Sequence, residues 1–198
     1  MTSASAPTAT PALHRQPHFT VLLALMVALA PLSMDAFLPA IPAMAAEFGV
    51  DHSRLGLTIT FFLAGYAFGQ LSGGPLSDSL GRRPIALGGI VLFLIASLCC
   101  AMTHSLEWLM VFRVLQGIAT GMTGGVSRTV VRDVATGKDA ARLMTNVMMV
   151  LMAAPLVAPS LGALILALST WQMVFIGLAV YGVIAGVAIR QWLPETLP

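Results

Sequence analysis

The sequence predicts an all-α protein of the membrane: a polytopic bundle of six transmembrane helices. Three observations lead there. Of 198 residues, 58% are hydrophobic and only 9% are charged, against about 25% charged in a soluble domain. The charges are gathered into short clusters that leave long uncharged runs between them. Those runs have the length that a helix needs to cross a hydrocarbon core, about 20 residues for about 30 Å. The same composition excludes a disordered chain. Ten Lys and Arg against eight Asp and Glu form no basic patch for nucleic acid. The adjacent Cys99 and Cys100 give neither a disulfide framework nor metal spacing, so no metal or other cofactor is expected.

The spans follow from the gaps between charges. Residues 1–18 are rich in Ser, Thr, Ala and Pro and read as a disordered tail. The first span is read over 19–44. Val21–Ala30 has the length of a signal-peptide core, but the apolar run continues through Leu32–Ile41. Pro31 also follows the Ala28-Leu29-Ala30 triplet, a poor cleavage site. Residues 55–77 and 84–106 are uncharged, and 108–127 hold only Arg113. These give spans near 54–77, 84–105 and 107–130. Residues 143–189 are 47 uncharged residues, about 70 Å of helix. They must fold back near Ser169–Thr170, giving spans near 140–168 and 171–192.

Lys and Arg set the orientation. With six spans both termini share a side. That side collects Arg15, Arg82, Arg83, Arg128, Arg132, Lys138, Arg142 and Arg190, and the other has Arg54 alone. Both termini are therefore expected in the cytoplasm.

Two charges lie inside spans, where each costs roughly 2.5–3.5 kcal/mol even on the insertion scale. Asp35 falls about 13 Å below the outer face and Arg113 about 10 Å below it. Their similar depth predicts one shared polar cavity. Two readings of each stay open. Arg113 is either a structural cation satisfied by backbone carbonyls or the counter-charge of Asp35. Asp35 is either a helix-end acid in a wet interface or a proton site, whose uptake depends on the nearness of the cation.

Other patterns are weaker. Gly65, Gly69 and Gly73, and again Gly117, Gly121 and Gly125, recur every four residues and predict close helix contact. Pro155 and Pro159, with Gly162 after them, predict a bend in the fifth span. Met144, Met148 and Met152 share a face. They read as flexible packing or lipid contact, or, at Met148 and Met152, as a compliant substrate lining. The stretch from Gly73 to Pro84 reads as a tight basic turn, with Asp78 able to meet a helix N-terminus. No nucleophile has a base partner at sensible spacing, so no enzyme is expected.

These motifs resemble, in order and on the expected spans, the amino-terminal half of a major facilitator superfamily transporter. The likeness is strongest to the bicyclomycin-resistance (Bcr/CflA) drug:proton antiporters, and it covers residues from about 19 to the end. Gly74-Pro75-Leu76-Ser77-Asp78-Ser79-Leu80-Gly81-Arg82-Arg83 is similar to motif A. The stretch from Arg113 to Gly121, with Gln116 and Gly117, is similar to motif B. Met34-Asp35-Ala36-Phe37-Leu38-Pro39 resembles the first-span signature, and Ala154–Ala163 resembles motif C. Ser79 stands where motif A usually has a basic residue, and Ala158-Pro159 and Gly162-Ala163 replace the usual Gly-Pro and Gly-Gly.

The resemblance implies one half of a twelve-span fold. It implies proton-driven export of small amphipathic compounds or drugs across the inner membrane, powered by the proton gradient without a cofactor. It implies coupling through Asp35 and Arg113, and a cytoplasmic latch of Gly74, Asp78, Gly81, Arg82 and Arg83. Residues 194–198 would begin a central cytoplasmic loop after a bundle of 19–193. The expected partners are the bilayer, the substrate and a carboxy-terminal six-helix bundle, in the same chain or a second one. The alternative is a truncated or half-size module that serves only in assembly.

Overall fold

The computed structural model describes residues 16–195. Residues 1–15 of the expected tail, and residues 196–198 of the expected central loop, lie outside the described residues. The elements are α1 (Pro17–Asp35), α2 (Ile41–Phe48), α3 (His52–Leu80), α4 (Arg82–Met102), α5 (Leu106–Val134), α6 (Gly137–Leu168) and α7 (Gln172–Trp192). A 3₁₀ turn, Leu38–Ala40, joins α1 to α2, so the first span is interrupted. Among the described residues six helical segments are long and apolar enough to cross a membrane, the first being Pro17–Phe48. Among the described residues there is no strand.

Local chemistry sets the helix ends. Pro17 occupies the first turn of α1, where a missing N–H costs nothing. The helix thus starts inside the stretch read as tail. Gly49, at φ 65°, ends α2 in the left-handed region. α4 stops at Met102, three residues before the end read from the sequence. Thr103 turns extended there, and its hydroxyl bonds locally with Ser105, which competes with the helix.

The stretch from Gly73 to Pro84 is not the loop expected. α3 runs on through Pro75 to Leu80, and Gly81 alone makes the turn, at φ 102° and ψ 148°. Pro84 lies in the first turn of α4, where it is tolerated. α6 stays helical across Pro155 and Pro159, each of which removes the donor for the carbonyl four residues earlier.

The bundle has polar groups inside and apolar ones outside. Ser33, Thr58, Ser97, Arg113, Gln116, Thr120 and Thr123 are buried, while Leu71, Leu156 and Leu168 are about four-fifths exposed. Water would penalise that arrangement, and lipid does not. Most of the buried hydroxyls bond carbonyls three or four residues back in their own helix, so they need no outside partner. α5 is the central element. It packs along α3 and α4, while α7 packs on α4 and α6 on α1.

The glycine repeats explain why α3 and α5 lie so close. A Cβ at Gly65 would run into the Val114 carbonyl, and one at Gly69 into that of Ile118. One at Gly117 would meet the backbone of Phe62 and Tyr66, and one at Gly121 that of Tyr66 and Gln70. The two stripes face each other and the backbones touch. At Gly125 the nearest atom is Gln70 O at 3.8 Å, so the pair parts toward the C-terminal ends of α3 and α5.

Candidate functional site

Arg113 is fully buried. Its Nη1 donates to the Ser33 carbonyl at 2.9 Å and to Gln116 Oε1 at 2.8 Å. Gln116 Nε2 in turn donates to Ser97 Oγ at 2.8 Å. The guanidinium carbon lies 4.7 Å from the centroid of the Phe37 ring and 4.6 Å from that of Phe62. Nε and Nη2 have no hydrogen-bond partner among the described residues. The two aromatic faces supply the compensation instead, through cation–π attraction in a fully buried site.

Ser33 lies in the last turn of α1, where carbonyls lack helical donors and the helix dipole favours a cation. Arg113 therefore caps the end of α1. Of the two roles open for it, the structure shows the contact with a backbone carbonyl.

Among the described residues no hydrogen bond or ion pair joins Asp35 to Arg113. Asp35 is half-buried and has no ion pair or hydrogen bond among the described residues. It stands two residues beyond Ser33, about 200° further round the helix. The Arg113 surroundings come from Ser33, Phe37, Phe62 and Gln116. Depth along a helix sets position on its axis and leaves rotation about that axis open.

Asp35 instead stands at a joint. It is the last residue of α1, and the 3₁₀ turn with Pro39 follows. Gly162 of α6 sits on the backbone of Ala36, so closely that a Cβ there would overlap its carbonyl. The motif C residues Pro155, Pro159 and Gly162 thus belong to a helix seated directly beside Asp35. Met148 lines a narrow cleft with Val27, Tyr66, Thr120 and Leu151. Met152 is three-quarters exposed and is outside that cleft.

The end of the bundle at the α3–α4 turn carries a second polar cluster. Arg82 is buried. Its Nη1 pairs with Asp78 and donates to Ser77 Oγ at 2.7 Å. Its Nε pairs with Asp133 of α5 at 3.0 Å. The backbone N–H of Arg82 donates to Glu195 Oε1 at 2.8 Å and that of Arg83 to Oε2 at 3.2 Å. Arg83 Nη2 reaches the Arg190 carbonyl at 2.6 Å.

The carboxylate on the N-terminus of α4 is therefore that of Glu195, not of Asp78, whose side chain is engaged by Arg82. This clasp ties α3, α4, α5 and the segment after α7 together. Gly81 must be glycine twice over, for its positive φ and because a Cβ would lie 2.7 Å from Glu195 Oε2. At Gly74 a Cβ would meet nothing within 4 Å. Ser79 is exposed and bonds only its own helix, at Leu76 O.

Asp133 and Glu195 are site residues that the sequence reading missed. Glu195 had one local signal, a Pro-Glu pair directly after a helix. Glu195→Gln removes charge from this cap and is expected to cost about 1 kcal/mol. Arg82→Ala removes three side-chain contacts and should cost more, about 2 kcal/mol after screening. Thermal unfolding in detergent checks both values and their order. Equal, unchanged midpoints would mean that the clasp does not hold the bundle.

The described residues thus form a multi-pass membrane bundle with a buried cation and a charged clasp at one end. Residues 23–198 match the family profile described as the Major Facilitator Superfamily, and the chain belongs to that family. It is 37% identical over 179 residues to an uncharacterized MFS-type transporter of Bacillus subtilis, covering 89% of this chain and 44% of that one. It is 30% identical over 184 residues to multidrug resistance protein D of Escherichia coli, covering 93% and 47%. It is 30% identical over 178 residues to a bicyclomycin resistance protein homolog of Haemophilus influenzae, covering 90% and 45%. The proton:xylose symporter XylE shares the fold at a TM-score of 0.81 and 16% identity, over 90% of this chain and 45% of that one. The chain spans about half the length of the curated relatives it matches.

Proposed function

We propose that this chain is the amino-terminal bundle of a proton-coupled exporter of small amphipathic compounds or drugs, placed in the inner (plasma) membrane with both termini cytoplasmic. The observation that carries the reading is Asp35, a carboxylate where a membrane span tightens into a 3₁₀ turn, in a chain whose relatives are named for multidrug and bicyclomycin resistance.

Asp35 takes up the coupling proton in this reading. Protonation removes the cost of burying the charge, so closure over Asp35 follows proton binding. α6 carries the movement, because Gly162 rests on the residue after Asp35. Arg113 positions Asp35 by holding the end of α1 rather than by pairing with it. Met148 and Met152 lie on the substrate-facing side, and the Arg82 clasp serves the cytoplasmic latch. The energy source is the proton gradient, with no cofactor.

A carboxy-terminal six-helix bundle, in the same or a second chain, covers α3 and α6 in this proposal. The most apolar windows of those helices are 28% and 17% buried, against 44–56% in the other spans. The test is uptake of a small amphipathic drug into everted membrane vesicles containing the complete protein. Uptake is expected to collapse when a protonophore dissipates the gradient. Uptake that persists undiminished would refute proton coupling.

A further inference from the structure

The cytoplasmic end of the α3–α5 contact opens into a cavity of about 410 Å³, lined by Gln70, Gly74, Gly125, Arg128, Thr129, Arg132 and Met144. It opens where the glycine stripes part, at Gly125. Its lining has two guanidinium groups and no carboxylate. Arg82 and Arg113 each have hydrogen-bond partners within the bundle, Arg113 through Nη1. Arg128 does not: among the described residues it has no hydrogen bond or ion pair, and neither has the amide of Gln70. The inside-positive bias accounts for Arg132, which is exposed in the last turn of α5. It does not account for Arg128, which is half-buried and lies six residues, about 9 Å, inside the helix end.

Arg128 also borders the narrow cleft formed by Val27, Ala30, Tyr66, Val147, Met148 and Leu151. A fork of cationic donors therefore stands between a cavity bordered by two arginines and an apolar cleft. We propose that this junction binds an amphipathic anion. Its carboxylate or phosphate group lies on Arg128, with Arg132, Gln70 and Thr129 around it, and its apolar part points toward Met148 and Leu151. Arg is suited to this because its planar fork meets two oxygens at once. The occupant is either a free anionic substrate or the phosphate of an anionic lipid. The inference deepens the reading above by naming a substrate charge, and rests on it only for the direction of movement.

The experiment measures equilibrium binding, so its failure is separate from a failure of proton coupling. Radiolabelled octanoate and its neutral isostere octanamide are titrated onto the complete protein in phosphatidylcholine nanodiscs. Octanoate should bind about tenfold more tightly than octanamide. Arg128→Gln should erase that preference while leaving octanamide binding intact, which also shows that the variant is folded. Arg128→Lys should keep part of it. In phosphatidylglycerol nanodiscs, weakened octanoate binding assigns the site to the lipid phosphate, and unchanged binding assigns it to a free anion. No octanoate binding, no preference over octanamide, or a preference that survives Arg128→Gln overturns the proposal.

Discussion

Gly117→Val is expected to prevent the bundle from assembling. A Cβ at position 117 would overlap the Phe62 carbonyl and lie 2.8 Å from the Tyr66 nitrogen. Both are backbone atoms of a helix, so no side chain can rotate away. Relief requires α3 and α5 to move apart along their whole contact. That would uncouple Gly65, Gly69 and Gly121 from their partners and separate Phe62 from Arg113. Overpacking a closed interior costs up to about 3 kcal/mol where side chains can adjust, and more where they cannot.

The expected result is loss of the monodisperse peak on size-exclusion chromatography in detergent. Gly88→Ala is the control. Nothing lies within 4 Å of a Cβ there, and the change should stabilise α4 by up to about 1 kcal/mol through helix propensity. A monodisperse Gly117→Val protein with an unchanged unfolding midpoint would contradict the α3–α5 contact.

The features legible in the sequence are those written along one helix axis. Uncharged runs reveal the number of spans, because a charge inside lipid is costly wherever it falls. Glycine every fourth residue reveals a contact stripe, because only the helical period brings those positions to one side. What escaped is lateral. The depths of Asp35 and Arg113 were comparable, but the rotation of α1 that separates them is set by packing against α5 and α6. The ring pair Phe37 and Phe62 that holds Arg113 comes from the turn after α1 and from α3, and leaves no mark in an apolar stretch.

The clasp shows the same limit. Arg82 meets Asp133 and Glu195 across 51 and 113 residues of chain, beyond any local periodicity. The local pairing of Asp78 with Arg82, four residues apart, lies within it. The turn was misplaced because Gly, Pro and Ser suggest a loop in water. In a span whose backbone must satisfy itself, the helix continues through Pro75 until Gly81 ends it.

Asp35→Asn carries the second large effect. Asparagine has nearly the same shape and removes only the titratable charge. Asp35 makes no ion pair or hydrogen bond among the described residues, so the substitution breaks no contact and the bundle should fold normally. Substrate exchange needs the cavity but not the proton. Accumulation against a gradient needs both. The two activities therefore separate in this variant if Asp35 is the coupling group.

The direct measurement uses the complete protein in proteoliposomes, comparing substrate counterflow at symmetric pH with uptake driven by an imposed pH difference. The expected result for Asp35→Asn is retained counterflow and a loss of at least about 100-fold in driven uptake, as for removal of an essential proton-transfer group. Driven uptake at the unsubstituted rate would contradict the assignment of Asp35 and the proton-coupling reading built on it.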